Sequence, residues 1–532
     1  MNRTTLLLTC AMITIGLSLS AQNSDVEPMP LNPGKGAPYE RIEKTFPASA
    51  VSYYRIDPRL VKNTGILSKQ KSGEETFFPD SLQAIRALKL KNKQKVEALM
   101  QAKQMAKNAD EIAPKTKVEI NPGMTITPPD NTLAISDSGY IVAADNARIG
   151  FYDESGNELN AFTYPDFLST FDEGIRLNTA DPKVVYDPEN RRFVFFIQSG
   201  STWEESFIIL GFSTSEDPRQ AWNFYSYNTH REGQYWFDYP SLAVNNNEVF
   251  ISGNLFNNER RFQGNCVYQL EKDAGYEGIR PTGILWQDIK PNWHWSPIGG
   301  VYAVPSATRK HYGPGIYLIA CSAMGGGDAF LFEITNRHNK SPEMRKYTIN
   351  INDYSPAVSA AQPNTRERLD VGDCRIKGAF YLRDRITFVF SKSNPLSFSG
   401  IAVTRINVTN FHVRQRFFHN NGKSDYCYPS IAHRTQSTRN YGTIMVFQNS
   451  GTNVFPQIRK QSMRGRTLTK IASSRSIQTG NTARLDGNNL PNRWGDYITI
   501  QRKFGAPVAW MVGHTANDRN QWRSHLIKID LQ

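Results

Sequence analysis

The chain has 532 residues, 39% hydrophobic and 11% aromatic, which fits a folded domain with an ample core. Its composition favours strands and turns, because Tyr, Phe, Gly, Pro and Asn are enriched. The formal net charge of +13 favours anionic partners, but the lysines and arginines are scattered along the chain, which weakens that prediction, and no nucleic-acid partner is expected.

The first 21 residues have the pattern of a secretory signal peptide. Arg3 precedes an apolar run that ends at Leu19, and the small pair Ser20-Ala21 precedes a polar stretch. The run is too short to span a bilayer, and no later segment offers the roughly 18 apolar residues of a membrane helix. We therefore expect an exported protein, periplasmic, outer-membrane associated or extracellular, and not an integral membrane protein. Its expected partner is an envelope or surface protein or a glycan.

Two segments precede the main domain. Residues 22–79 are rich in Pro, Gly and polar residues, which predicts an extended segment lying on another part of the protein. Residues 80–113 predict a basic amphipathic helix, without Gly or Pro from Asp80 to Ile112. It has a narrow apolar stripe (Leu82, Ile85, Leu88, Val96, Leu99, Met100) and a basic face (Lys89, Lys91, Lys93, Lys95, Lys103, Lys107). The favoured interpretation is a helix packed on one flank with solvated lysines; the alternative is docking to a partner or an anionic membrane.

Within the predicted propeller domain of residues 114–532, one unit repeats seven times from about Pro128 onward. Each unit opens with a polar or proline-containing corner and a short strand, followed by a strongly apolar second strand and two further strands. The predicted first strands are Asp130–Ile135, Asp181–Tyr186, Asp238–Val244, Ser296–Val301, Asp373–Gly378, Cys427–Ala432 and Asp496–Ile500. The predicted second strands are Gly139–Ala144, Arg192–Gln198, Glu248–Gly253, Gly315–Ala320, Ile386–Phe390, Thr443–Gln448 and Val508–Gly513.

Units of four strands at a period of about 50 to 60 residues predict blades around a channel. The last unit is one strand short, so a strand within 115–127 is expected to complete it and close the ring. The predicted fold is all-β: a seven-bladed β-propeller with an N-terminal extended segment and one long helix.

Propeller geometry places the loops that lead into first strands on the same end of the ring as those that join second to third strands. We call this end, where the innermost strands begin, the front end, and the opposite end the rear end. Aromatic and arginine side chains, the types that dominate binding energy, group on the front end. The predicted binding residues are Trp203, Arg231, Tyr235, Trp236, Trp293, Trp295, Arg375, Tyr428, Arg493 and Trp494, with core packing as the alternative for any single Trp.

Aspartates recur where first strands begin, at Asp181, Asp238, Asp373 and Asp496. Two interpretations stay open: a ring of carboxylates holding calcium, or, preferred, caps for backbone amides. The nine histidines show no metal-ligand spacing, and no cofactor is expected. Cys374 and Cys427 begin adjacent first strands, which makes a disulfide credible; a second between Cys266 and Cys321 is a weaker prediction.

The segment Ser215–Trp222 resembles the Asp-box of sialidase-type propellers, with Arg219 and Ala221 in place of the motif's Gly and Thr. Together with Asp181-Pro182, Asp238-Tyr239-Pro240 and Trp494-Gly495-Asp496-Tyr497, it makes residues 128–532 similar to an uncharacterised group of exported bacterial propellers. That resemblance implies the fold rather than an activity, because an Asp-box is a structural turn.

Catalytic signatures are sparse. A sialidase needs an arginine trio, an Arg-Ile-Pro element, a Tyr with a Glu, and a separate acid. The nearest fragment to the Arg-Ile-Pro element is Arg375-Ile376-Lys377, which has Lys in place of Pro. No serine-hydrolase elbow or zinc-protease helix occurs. We therefore expect a non-catalytic binding or scaffold protein that recognises a protein or glycan on its front end, one form being an accessory part of an envelope or secretion assembly. The alternative is a divergent sialidase-like glycoside hydrolase.

Overall fold

A computed structural model describes residues 37–68, 80–103, 117–120, 127–229, 233–289, 299–420, 422–485, 487 and 491–531, with the side chains of residues 86–99 within the helix. Ahead of the propeller lie β1 (Glu40–Ile42), β2 (Thr45–Ser49), β3 (Ser52–Ile56), a 3₁₀ turn (Pro58–Leu60), α1 (Asp80–Lys103) and β4 (Lys117–Glu119). The predicted signal peptide lies outside the described residues.

The propeller has seven antiparallel sheets. Blade 1 contains β5 (Thr132–Ile135), β6 (Ile141–Ala144), β7 (Arg148–Tyr152) and β8 (Glu158–Thr163), and α2 (Tyr164–Phe167) and α3 (Glu173–Arg176) follow it. Blade 2 contains β9 (Thr179–Asp187), β10 (Arg192–Ser199), β11 (Phe207–Ser213) and β12 (Trp222–Asn228). Blade 3 contains β13 (Trp236–Val244), β14 (Glu248–Phe256), β15 (Phe262–Glu271), α4 (Lys272–Glu277) and β16 (Thr282–Ile289).

The remaining blades follow the same pattern. Blade 4 contains β17 (Tyr302–Ala303), β18 (Ile316–Cys321), β19 (Gly326–Ile334) and β20 (Met344–Tyr354). Blade 5 contains β21 (Ile376–Leu382), β22 (Arg385–Ser393), β23 (Ser399–Asn407) and β24 (Val413–Phe418). Blade 6 contains β25 (Asp425–His433), β26 (Thr443–Gly451), β27 (Val454–Arg464), β28 (Thr469–Lys470) and β29 (Arg475–Gln478), and blade 7 contains β30 (Thr499–Arg502), β31 (Val508–Ala516) and β32 (Trp522–Asp530).

The predicted fold class is confirmed. The innermost strand of each blade contacts the innermost strand of the next all the way round, including β30 against β5. Strand β4 pairs with β32, so a strand from ahead of blade 1 supplies the fourth strand of blade 7. Sharing one sheet between both ends of the domain closes the ring and leaves no open sheet between the first and last blades.

The core lies between neighbouring blades. The second strands are the most apolar, as in β10, where every residue from Phe193 to Ile197 is fully buried. Such strands are covered on both faces, which explains why their apolar residues are consecutive rather than alternating. The predicted Asp-box segment connects β11 to β12; its Trp222 is fully buried, donates through Nε1 to Pro218 O at 2.8 Å, and stacks on Phe151.

The N-terminal segment adds a fifth strand to three blades. We call residues 40–56 the strap. Strand β1 pairs with β20 of blade 4, β2 with β16 of blade 3 and β3 with β12 of blade 2, all antiparallel. The strap therefore runs backwards around the ring and covers three outer edges that would otherwise present unpaired backbone groups.

Helix α1 packs differently from the sequence prediction. Leu88 and Leu99 of the predicted apolar stripe are 63% and 64% exposed, whereas Lys93 and Glu97 are buried. The physical reason is the surface beneath: the Lys93 ammonium lies 2.7 Å from Asp425 Oδ1 and donates to the carbonyls of Val358 and Ser359. Among the described helices, none has a stretch apolar and long enough to cross a bilayer.

Candidate functional site

The innermost strands of blades 2, 3 and 6 share one backbone step near the front end. Asp181, Tyr239 and Tyr428 each precede a proline and have φ of 56°, 57° and 48°, a left-handed conformation that is uncommon for residues other than glycine. In β13 and β25 the pairing register shifts at this step. A bulge re-aims the side chains that follow it. Tyr239, itself one of these three residues, and Lys183, two residues after Asp181, line the channel.

Aspartates surround the front end of the channel, and each has an internal partner. Gln198 donates through Nε2 to Asp181 Oδ2 at 3.0 Å and to Asp238 Oδ1 at 2.6 Å. The remaining contacts are Arg375 Nε to Asp373 at 2.7 Å, Arg493 Nη2 to Asp496 at 2.7 Å, and Asn146 Nδ2 and the Asp496 amide to Asp130 at 2.8 and 2.6 Å.

Charge in this ring of aspartates is unequally distributed. Burial and the neighbouring Asp496 raise the pKa of Asp130 to about 6. Burial alone would raise the pKa of Asp496, but the charges of Arg493, Lys377 and Arg375 lower it. Within the described ranges, no group of three or more His, Cys, Asp or Glu side chains is arranged to hold a metal ion, so the calcium interpretation of the recurring aspartates finds no support.

Two lysines lie midway along the channel, and neither was among the predicted site residues. Lys183 on β9 and Lys377 on β21 both line the channel with Tyr239, Tyr302 and Tyr497. The Lys377 ammonium donates to Tyr239 Oη at 2.5 Å, and the Lys183 ammonium lies over the Tyr497 ring. Burial, followed by the charge of Lys377, lowers the pKa of Lys183 to about 7, and burial also lowers the pKa of Lys377.

From these lysines a cavity of about 170 Å³ extends towards the rear end. Apolar side chains from most blades form its wall, including Leu242, Phe380, Ile431, Ile498 and Ile500. Its charged or titratable lining residues are Lys183, Lys377, Arg502, His311 and His433 beside tyrosines; of the described residues that line it, none is a carboxylate.

A segment of blade 4, residues 304–315, crosses the rear end beside the cavity. Ala307 N donates to Tyr381 O of blade 5 at 2.8 Å, and Arg309 lies 2.8 Å from Asp137 of blade 1. His311 Nε2 lies 3.0 Å from Asp187 of blade 2, a carboxylate that is also 2.7 Å from the buried ammonium of Lys272. These contacts fix the segment across the ring.

Several predicted binding residues lie in the interior. The Trp236 ring stacks on Phe256 with centroids 5.0 Å apart, and Trp494 stacks on Trp522 at 6.5 Å. Trp236 and Trp494 are fully buried and Tyr428 is 1% exposed, so their rings pack the loops rather than present a surface. Arg375 is 7% exposed, with its guanidinium 3.7 Å from the centroid of the Tyr239 ring.

Other predicted binding residues stay accessible. Trp203, Tyr235 and Arg493 are half-buried, and the Trp203 amide donates to Asn258 Oδ1 in the adjacent blade 3 loop at 3.0 Å. Arg261, also in that loop, is exposed. We call Trp203, Tyr235, Arg260 and Arg261 the front patch. Predicted residues Arg231, Trp293 and Trp295 lie outside the described residues.

The front end of blades 5 to 7 is covered by the chain itself. Residues 355–375 lie against the segment before blade 7, where Asp370 N donates to Asn492 O at 2.9 Å, and against blade 6, where Tyr428 donates to Asp370 O. Helix α1 lies on top, with Glu97 2.7 Å from Arg368. The sequence predicted a recognition surface at this part of the front end and gave no indication that residues 355–375 and helix α1 cover it.

The four described cysteines, Cys266, Cys321, Cys374 and Cys427, are free and buried. The predicted disulfide between Cys374 and Cys427 is therefore not formed in this structure, nor is the one between Cys266 and Cys321. Each thiol lies in a packed hydrophobic cluster, where it acts as a small apolar side chain.

Comparison with known proteins finds only solved structures of low sequence identity and low TM-score. No family model matches the chain, and no curated protein matches it. A mutant of Trypanosoma rangeli sialidase displaying trans-sialidase activity is similar at 10% identity and a TM-score of 0.39, covering 79% of this chain and 60% of that one. The chain thus spans about 60% of the length of that sialidase structure.

Two other solved structures show similarly low identity and TM-score. The WD40 domain of SCAP from fission yeast has 9% identity and a TM-score of 0.35, with 74% of this chain and 80% of that one covered. A neuraminidase-like protein of a flat-faced bat isolate has 8% identity and a TM-score of 0.32, with 71% and 97% covered. Likeness at this level carries no information about function.

Proposed function

We propose that the chain is an exported bacterial binding or scaffold protein of the periplasm or cell surface, with the front patch as its recognition surface for a protein or glycan. The main support is that Trp203, Tyr235, Arg260 and Arg261 lie at the front end of blades 2 and 3, outside the part that residues 355–375 and helix α1 cover. Aromatic and arginine side chains are the commonest hot spots of interfaces, and aromatic faces stack on sugar rings.

The partners of the carboxylates favour binding over catalysis. Retaining glycosidases use two carboxyl groups about 5 Å apart, and inverting ones use a pair farther apart, on either side of an open substrate site. The front-end aspartates instead accept hydrogen bonds inside the protein, and Asp130, Asp238 and Asp373 are at most 4% exposed. The alternative, a divergent sialidase-like hydrolase with the Asp-box turn at Ser215–Trp222, rests on sequence resemblance only.

The test combines binding and turnover. Binding of the wild type to immobilised lipopolysaccharide and to an array of sialylated and neutral glycans would be compared with that of Trp203→Ala and Arg261→Ala. The matched control is Tyr39→Ala, an aromatic 44% exposed beside the strap. We expect a hot-spot loss of at least about tenfold for the patch variants and none for the control. Equal binding by all variants contradicts the patch, and robust hydrolysis of a sialyl or other glycoside contradicts the non-catalytic role.

A further inference from the structure

The channel cavity has a built polar end. Lys183 and Lys377 stand at its inner end, and of the described residues none offers the Lys183 ammonium a hydrogen bond; its neighbour there is the face of Tyr497. The Lys377 ammonium donates one hydrogen bond to Tyr239 Oη, and two of its three donors remain for a ligand. Lys183 is half-buried and Lys377 is 4% exposed, and an anionic acceptor near both ammoniums offsets the cost of removing their charge from water.

The charge balance of the cavity points to an anion. The aspartates nearest the lysines are engaged on the front side: Asp181 with Gln198, Asp373 with Arg375 and Asp496 with Arg493. On the rear side the cavity wall carries cationic and neutral side chains, and carboxylates are absent from its described lining. Within the cavity, the two ammoniums therefore lie between a ligand and these carboxylates.

The wall sets the shape of the remainder of the ligand. Leu242, Phe380, Ile431, Ile498 and Ile500, contributed by four blades, surround the space behind the lysines. The volume of about 170 Å³ is close to that of cavities of about 150 Å³ that bind benzene. A mostly apolar pocket with a few placed polar groups takes a small, largely apolar ligand that those groups orient.

We propose that the channel is a binding site for a small carboxylate with a compact apolar body, aromatic or short alkyl, whose carboxylate oxygens accept from Lys183 and Lys377. Both ammoniums line the same space, and Ser241 and Tyr302 flank them. The site lies on the rear side of the aspartates and is separate from the front patch, so it does not depend on what the front end recognises.

The experiment uses benzoate and hexanoate as probes, with benzyl alcohol and 1-hexanol as neutral counterparts of the same shape. Calorimetry and thermal shift on the full protein should show saturable binding of the carboxylates and at least tenfold weaker binding of the alcohols. Lys183→Met and Lys377→Met should each weaken benzoate binding at least tenfold. Lys340→Met, at an exposed lysine on blade 4, is the matched control and should bind as the wild type does.

Folding of each variant is checked by near-ultraviolet circular dichroism. Should a methionine variant fail to fold, Lys183→Gln and Lys377→Gln, which keep polar side chains of similar length, replace it. The proposal is wrong if carboxylate and alcohol bind equally, if both lysine variants keep wild-type benzoate affinity, or if benzoate binds only at concentrations where Lys340→Met and an unrelated protein respond alike.

Discussion

The strap and helix α1 precede the propeller in sequence and lie on its surface, but they are attached by different forces. The strap is held by main-chain pairing to three blade edges, which side-chain contacts such as the stacking of Tyr53 on Tyr225 and the Glu40–Lys346 ion pair reinforce. The helix is held by charged side chains: Lys93 on Asp425, with both side chains fully buried, and Glu97 on Arg368. Main-chain pairing tolerates sequence change, whereas a buried ion pair depends on two particular atoms and on pH.

The largest effect is expected from Lys93→Met. It leaves the buried Asp425 carboxylate without its cation, and breaking one side of a buried pair costs about 3–5 kcal/mol. Amide hydrogen exchange over residues 86–99 should accelerate strongly as the helix undocks, while exchange of the strap is unchanged. The control is Lys91→Met, at an exposed lysine two residues before Lys93 on the same helix.

The double variant Lys93→Met with Asp425→Leu tests the same pair from the other side. Replacing both partners by apolar side chains removes the uncompensated charge and should restore most of the protection. Equal exchange in Lys93→Met and Lys91→Met contradicts side-chain attachment of the helix.

The propeller itself was predictable because its signal repeats seven times: a polar corner, an apolar second strand, and a last unit short of one strand. The attachment of α1 was not. Lys93 reads as one of many solvated lysines, and its counter-ion Asp425 is 332 residues away in sequence, brought there only by closure of the ring. Because Lys93 is buried, the helix turns its predicted apolar residues Leu88 and Leu99 towards solvent. The apolar pattern of the sequence does not indicate this orientation.

The candidate sites were also predictable only in part. Grouping of aromatic residues at the front end was predictable, but which rings pack loops and which stay accessible depends on stacking such as that of Trp236 on Phe256. Lys183 did leave a signal: a lysine directly after Asp181-Pro182 and before two valines, within an innermost strand. Only the radial arrangement brings it beside Lys377.

A second, smaller effect is a pH dependence specific to the helix. Burial raises the pKa of Asp425 to about 6, although Lys93 opposes the shift, whereas an undocked aspartate titrates near 3.9. The docked state therefore binds the proton more tightly than the undocked state. The resulting stabilisation of helix docking is complete below about pH 4 and is lost as pH rises through about 6.

Without Lys93 the pKa of Asp425 lies higher still, so the undocking caused by Lys93→Met should worsen from pH 5 to pH 8. Exchange over residues 86–99, corrected for its intrinsic pH dependence, measures this difference. A deficit that is constant over this range, or larger at pH 5, contradicts a role for Asp425 in docking. Exchange of the strap provides the internal reference.

The smallest effect is expected in the strap, from Tyr54→Ala. The Tyr54 ring packs on Phe171 with centroids 4.3 Å apart, a contact between aromatic rings worth about 0.5–1.5 kcal/mol. The backbone of β3 stays paired with β12 whatever the side chain, so exchange at residues 52–56 should accelerate slightly, equally at pH 5 and pH 8. If this single change released β1 and β2 as well, the strap would be a cooperative unit held by side chains, and the distinction from α1 would disappear.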